Sequence, residues 1–288
     1  MQGQGEENHF LGIATPLEKA NIVILPVPFD KTSSYMHGSD KGPAAMIEAS
    51  RNVELFDIET DLEASEFGIH TAKPIQEKTS EKMLQSTFES VSSFLEQGKF
   101  VITLGGEHAI SAAPIRAHAD NMGPISVLQL DAHADLAPAY EGNPLSHASV
   151  MSRVREMENV ERIVPVGIRS MSVEENSYIQ PENTFFAHDL FDNDDWMDRV
   201  VDRLTENVYI TFDLDVFDSS LMPSTGTPEP GGLFWHTALK LLKKVAEKRK
   251  IVGFDVVELC PMKNFWAPDY LAAKLIYKLL SYTLERQK

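Results

Sequence analysis

The chain has 288 residues, 43% of them hydrophobic and 24% charged, with 43 acidic against 26 basic side chains and a formal net charge of -17. This length accommodates one large α/β domain, and the balanced composition excludes disorder and low-complexity architectures. The charge repels phosphate backbones and anionic membrane surfaces, so neither nucleic acid nor membrane is expected as a partner; it favours cations, although an acidic surface also serves solubility.

Residues 1–20 form a polar N-terminal extension, and 1–9 lack the basic and then apolar organisation of a targeting peptide. Beyond them, continuous β-branched runs alternate with amphipathic segments. The chain order is strand 22–27, helices 43–50 and 81–97, strand 100–104, helix 111–118, strand 125–130, helix 148–156, strand 163–167, helix 173–179 and strand 184–187. Helix 194–204, strand 208–212, helix 235–247, strand 251–256 and helix 269–284 complete it. Fully apolar strands between helices predict a single doubly wound α/β domain over 21–288, its mostly parallel sheet flanked by helices on both faces. Met83, Phe88, Phe94 and Leu95 recur at helical spacing and read as a core face. No apolar run reaches the roughly 20 residues of a membrane span. The single cysteine, Cys260, rules out an intrachain disulfide, reads as a small packed side chain and fits a reducing, cytoplasmic compartment.

In doubly wound sheets ligands bind beyond the carboxyl ends of the strands, so polar residues there are counted separately. Four strand ends stand out. One closes in Gly105-Gly106-Glu107-His108, whose glycines let the chain turn and present an imidazole. A second runs into Asp131, His133 and Asp135, spaced i, i+2, i+4, which an extended chain places on one side. A third ends in Asp213 and Asp215, and the last sets Glu258 after 251–256. Each alone has a plain explanation, since Asp often caps a turn and a lone His is usually a structural residue. Together they bring Asp131, Asp135, Asp213 and Asp215 with His108 and His133 into one crevice, where carboxylates within about 4–6 Å of one another resist ionisation unless cations are present. Two divalent ions would neutralise four carboxylates. Oxygen and imidazole donors without thiolate suit manganese better than magnesium, iron, nickel or zinc. Paired ions roughly 3.5–4 Å apart activate a shared water, which makes hydrolysis the leading reaction type.

These motifs, with Ser146-His147-Ala148, the segment from Pro223 to Pro228, Gly231-Gly232 and Asp255-Val-Val-Glu258, resemble the ureohydrolases, the arginase and agmatinase family, in order and spacing from about residue 21 onwards. The resemblance implies two Mn2+ per subunit, bridged by Asp131 and Asp213, with His108 and Asp135 completing one site and His133 and Asp215 the other. It implies that a hydroxide attacks a guanidinium carbon, that Asp135 passes a proton to the leaving amine, that Glu258 pairs with the guanidinium and that His147 shuttles protons. Thr227 and Asn143 are further substrate contacts on this reading, and the subunits form trimers or hexamers. The loop 136–145 and the segment 167–176 depart from the arginase pattern of carboxylate-holding side chains and resemble agmatinases, which favours agmatine, cleaved to putrescine and urea. Glu141, Glu174 and Glu175 are the acids available for its distal ammonium. Guanidinobutyrate, arginine and formiminoglutamate are alternative substrates, and a silent guanidinium-binding homologue is the non-catalytic alternative. A metallophosphoesterase would need a downstream Asn-His-acid element, whereas the only Asn-His pair is Asn8-His9. His9, His37, His70, His118, His188 and His236 stand outside the motifs and read as surface or packing residues.

Overall fold

In the computed structural model, which describes residues 7–191 and 194–285, eight strands form one sheet. They are β1 (Ile22–Val27), β2 (Ile69–Thr71), β3 (Phe100–Gly105), β4 (Ile125–Leu130), β5 (Val160–Ile168), β6 (Phe185–Phe186), β7 (Asn207–Asp213) and β8 (Lys250–Val257). Their order is β2-β1-β3-β8-β7-β4-β5-β6, and every neighbouring pair is parallel, so all carboxyl ends share one edge.

The helices are α1 (Gly42–Ser50), α2 (Ser80–Glu96), α3 (Ala112–Met122), α4 (Val150–Val154), α5 (Val173–Asn176), α6 (Asp195–Arg203), α7 (Trp235–Lys248) and α8 (Ala267–Glu285). One face of the sheet is covered by α1, α8, α7 and α6 in series, the other by α2, α3 and α4. Strand alternation supplies both layers: Ile102 and Leu104 of β3 join the core under α1 and α8, while Val101 joins that under α2. Parallel strands covered on both faces have no polar side, which is why they read as unbroken apolar runs.

Most elements fall where the periodicity puts them, and the differences have local causes. The expected helix 148–156 starts late because Ser149 is non-helical (φ -119°, ψ 2°), leaving a 3-10 turn over His147–Ser149 and then α4. The expected 173–179 helix shortens to α5, after which the Ser177 and Tyr178 amides bond three residues back, to Glu174 and Glu175. The expected strand 184–187 contracts to β6. Three residues are too few to show a period, so β2 was not expected. Residues 1–6 of the N-terminal extension lie outside the described residues. Further along it, Phe10 and Leu11 are buried, and their amides donate to Thr71 Oγ1 and Ser50 Oγ.

The arrangement decides where chemistry is located. The strands that carry the four polar ends, β3, β8, β7 and β4, are consecutive neighbours at the centre of the sheet. No helix among the described residues is long and apolar enough to cross a membrane.

Candidate metal centre

The carboxyl edge of these four strands opens into a cavity with about 320 Å³ of empty space, lined by His108, His133, Asp135, Asp213, Asp215 and Glu258 together with His147, Gly226 and Thr227. Glycine at 106 is demanded by close packing: a Cβ there would lie 2.1 Å from the Phe29 carbonyl oxygen. That approach lets Gly106 and Glu107 donate to Val27 and Phe29, which fixes the chain just before His108.

The expected one-sided alternation over 131–135 is not what gathers the donors. Beyond Leu130 the strand ends, and Asp135 has φ 52°, in the left-handed region. Instead, Asp131 Oδ1 accepts the His133 amide at 2.6 Å, and on β7 Asp213 Oδ1 accepts the Asp215 amide at 2.8 Å. The same carboxylate-to-i+2 turn thus ends two neighbouring strands and folds the second candidate donor back towards the first. Glu258 also has positive φ, 66°. Two non-glycine residues in a strained region at one cavity are held there by their surroundings.

Around His108 Nδ1 stand Asp135 Oδ2 at 2.9 Å, Asp131 Oδ2 at 3.1 Å and Asp213 Oδ2 at 3.4 Å. No hydrogen bond of good geometry satisfies this buried nitrogen. His133 Nδ1 faces Asp215 Oδ2 at 2.8 Å and Asp131 Oδ1 at 3.8 Å. The donors fall into two groups, His108 with Asp131 and Asp213, and Asp131 with His133 and Asp215, which share Asp131. Asp135 adjoins the first. The expected six ligands therefore converge, and buried oxygen and nitrogen donors aimed at common points fit metal ions.

Protonation behaviour shows how unwelcome so much buried negative charge is. Burial and Asp131 push Asp135 up to about 7, and burial with Asp215 and Asp131 lifts Asp213 well above the carboxylate range. Burial also raises Glu258, aided by Glu107. The imidazoles compensate. Burial opposes their charge, but Asp215 carries His133 up to about 10, and Asp131 and Asp135 carry His108 well above its ordinary value. Asp215, which burial alone would raise, is brought to about 2 by His133. Metal ions on these nitrogens and carboxylates would take over the positive charge and release the protons. His147 is depressed to about 4 by burial and by the charges of His108 and His133, so it is neutral at pH 7.

Behind the ligands lie residues without an assigned role in the sequence reading. His108 Nε2 lies 2.9 Å from Thr211 Oγ1, which donates to Asp255 Oδ1 at 2.8 Å, and Tyr209 donates to Asp255 Oδ2 at 2.9 Å. Such outer partners orient a ligating imidazole. Thr211 shares a face of β7 with Asp213, a period-two signal in the sequence. The Arg169 guanidinium donates to the carbonyls of Gly167, Asp215, Val216, Phe217, Glu229 and Pro230, tying the Asp215 turn to the loop after Thr227. Nothing in the sequence signals Thr32, which touches both Glu107 and His147.

Other expected contacts are placed differently. Asn143 does not line the cavity; its Oδ1 accepts the Leu145 amide at 2.9 Å. Glu175 is occupied in a capping box with Ser172 and accepts the Leu136 amide, and neither Glu141 nor Glu174 lines the cavity. His118 proves to be a packed core residue, fully buried against Tyr209.

The arginase family model matches residues 20–281. The chain belongs to the arginase family. Among its arginase-family relatives, an N(1)-aminopropylagmatine ureohydrolase of Synechocystis is 34% identical over 95% of this chain and 92% of its own length. One of the same name from Thermus thermophilus is 37% identical over 91% and 90%. The solved agmatine ureohydrolase of Thermoplasma volcanium superposes with a TM-score of 0.85 at 31% identity, covering 94% of this chain and 92% of that one.

Proposed function

We propose that this chain is a two-manganese ureohydrolase that cleaves the guanidinium of a polyamine-type substrate, agmatine or its N1-aminopropyl derivative, to urea and an amine. The observation that carries the reading is the convergence of four Asp and two His on a buried cavity that also holds Glu258. Two divalent ions bound there supply a water of lowered pKa and neutralise the carboxylates.

The protein's own groups do the rest. Glu258 is anchored through Oε1, which accepts the His108 amide at 2.7 Å. The other oxygen remains for the substrate, matching the planar donors of a guanidinium. Water adds to the guanidinium carbon, the bond from that carbon to the substituted nitrogen breaks, and the amine leaves with a proton. Asp135 delivers that proton, and His147 exchanges it with solvent at the cavity wall. Among the described residues neither Arg nor Lys lines the cavity, so a substrate's distal carboxylate would find no basic side chain to hold it; this favours agmatine-type over amino-acid substrates. The names of the relatives support the aminopropyl derivative as the second reading. A trimeric or hexameric assembly is part of the same proposal.

Urea release by manganese-reconstituted protein from agmatine, N1-aminopropylagmatine, arginine and guanidinobutyrate tests the reading. Either of the first two should give the highest kcat/KM. Preference for arginine or guanidinobutyrate would overturn the substrate class, and no urea from any of them would overturn the activity.

A further inference from the structure

Glu107 and Thr32 take no part in the proposed reaction, yet they meet directly behind His147. Glu107 is fully buried. Its Oε2 accepts the backbone N–H groups of Lys31 and Thr32, each at 2.7 Å, and its Oε1 accepts the Thr32 hydroxyl at 2.8 Å. Thr32 Oγ1 in turn accepts the His147 amide at 3.0 Å and lies 3.3 Å from His147 Nδ1.

Counting protons decides what passes between that oxygen and the ring. A hydroxyl has one hydrogen and two lone pairs, and a carboxylate only accepts. The Thr32 hydrogen goes to Glu107 Oε1, 2.8 Å away, and not to His147 Nδ1 at 3.3 Å, because the shorter contact is the stronger bond and the other Glu107 oxygen already accepts two backbone N–H groups. Thr32 then has only lone pairs to offer, one to the His147 amide and one to Nδ1. Two facing acceptors would repel, so Nδ1 carries the ring hydrogen. The opposite tautomer would need Thr32 to turn its hydrogen to Nδ1, which strips buried Glu107 Oε1 of its donor.

We propose that Glu107, acting through Thr32, holds neutral His147 as its Nδ1–H tautomer, so that Nε2 is the nitrogen that takes up and delivers the proton of the reaction. The tautomer stands on the hydrogen-bond geometry; its use in proton transfer rests on the ureohydrolase reading. Glu107 and Thr32 are positioning residues, and they give the Glu of the Gly105-Gly106-Glu107-His108 motif a role separate from metal binding.

The first test is NMR of protein labelled with 15N-histidine, loaded with magnesium to avoid manganese broadening, at pH 8. The His147 signals are identified by their loss in His147→Asn. The wild type should show a pyrrole-type Nδ1 and a pyridine-type Nε2. Glu107→Gln should exchange the two, because with the Gln carbonyl on the backbone amides its NH2 faces Thr32 and releases the hydroxyl hydrogen towards Nδ1. A wild-type Nε2–H tautomer, or no exchange in Glu107→Gln, would overturn the proposal.

The second test is kinetic and uses manganese-loaded protein. Thr32→Val should lower kcat ~10–100-fold, a share of what general acid–base catalysis supplies, with little change in KM. Thr32→Ser should restore the rate, and in a His147→Ala background Thr32→Val should cost nothing more. An equal loss in both backgrounds would reduce Thr32 to a packing role and refute the positioning. A wild type that releases no urea would sink the functional reading, while the NMR result would still decide the tautomer.

Discussion

Replacing Glu258 by Gln is the perturbation whose size the geometry defines best. The side chain is 8% exposed, and Oε1 is committed to the His108 amide. Gln keeps that bond through its carbonyl oxygen. Its NH2 then occupies the place of Oε2, which lies 3.6 Å from where a Gly226 Cβ would be. A donor thus replaces an acceptor facing a substrate that presents only donors. Leaving a buried cation without its counter-charge costs about 3–5 kcal/mol. At about 1.4 kcal/mol per factor of ten, that is a fall of about two to four orders of magnitude in kcat/KM. Stability should hold or rise, because the lost group is one that burial already drives towards its neutral form. Urea release over a range of agmatine or aminopropylagmatine concentrations, with Tm and metal content measured on the same samples, separates the effects. A variant with normal metal content and kcat/KM within about tenfold of wild type would refute the pairing.

Three further outcomes are expected. Thr211→Val removes the partner of His108 Nε2 and should weaken metal binding about 10–100-fold, measured by competition with a chelator. Lys278→Met leaves buried Asp57 without the ammonium now 3.0 Å away and should cost about 3–5 kcal/mol in chemical denaturation. His118, held at about 4 by burial, resists charging in the folded state, whereas the unfolded chain takes up a proton near 6.5. The folded state is therefore undiminished above pH 6.5 and loses about 3 kcal/mol as pH falls from there to about 4; denaturation midpoints of wild type and His118→Leu at pH 7 and 4.5 should show that share missing in the variant.

The sequence made the sheet legible because its strands are buried on both faces, so that runs such as Ile125 to Leu130 contain no solvent-facing interruption. The candidate metal-binding residues were legible because each follows such a run. Their mode of convergence was not, since it depends on side chain to backbone turns at Asp131 and Asp213 and on the left-handed backbone of Asp135, which carry no periodic signal. Thr211 and Asp255 stand opposite each other in the β7 and β8 register, a pairing that requires the strand order. Thr32 reaches His147 across 115 positions of chain, a contact no local pattern contains. Asn143 and Glu175 show the converse: their residue types suit substrate binding, but a backbone amide and a helix cap already occupy them.

Asp131 is the carboxylate common to both candidate metal groups, and the two-ion reading depends on its joining them. Elemental analysis of metal-stripped protein, reloaded with manganese and dialysed, tests it most directly. Wild type should retain two ions per chain, and Asp131→Asn, having lost the charge common to both sites, should be depleted of both. Retention of a single ion by wild type, or of two by Asp131→Asn, would contradict it.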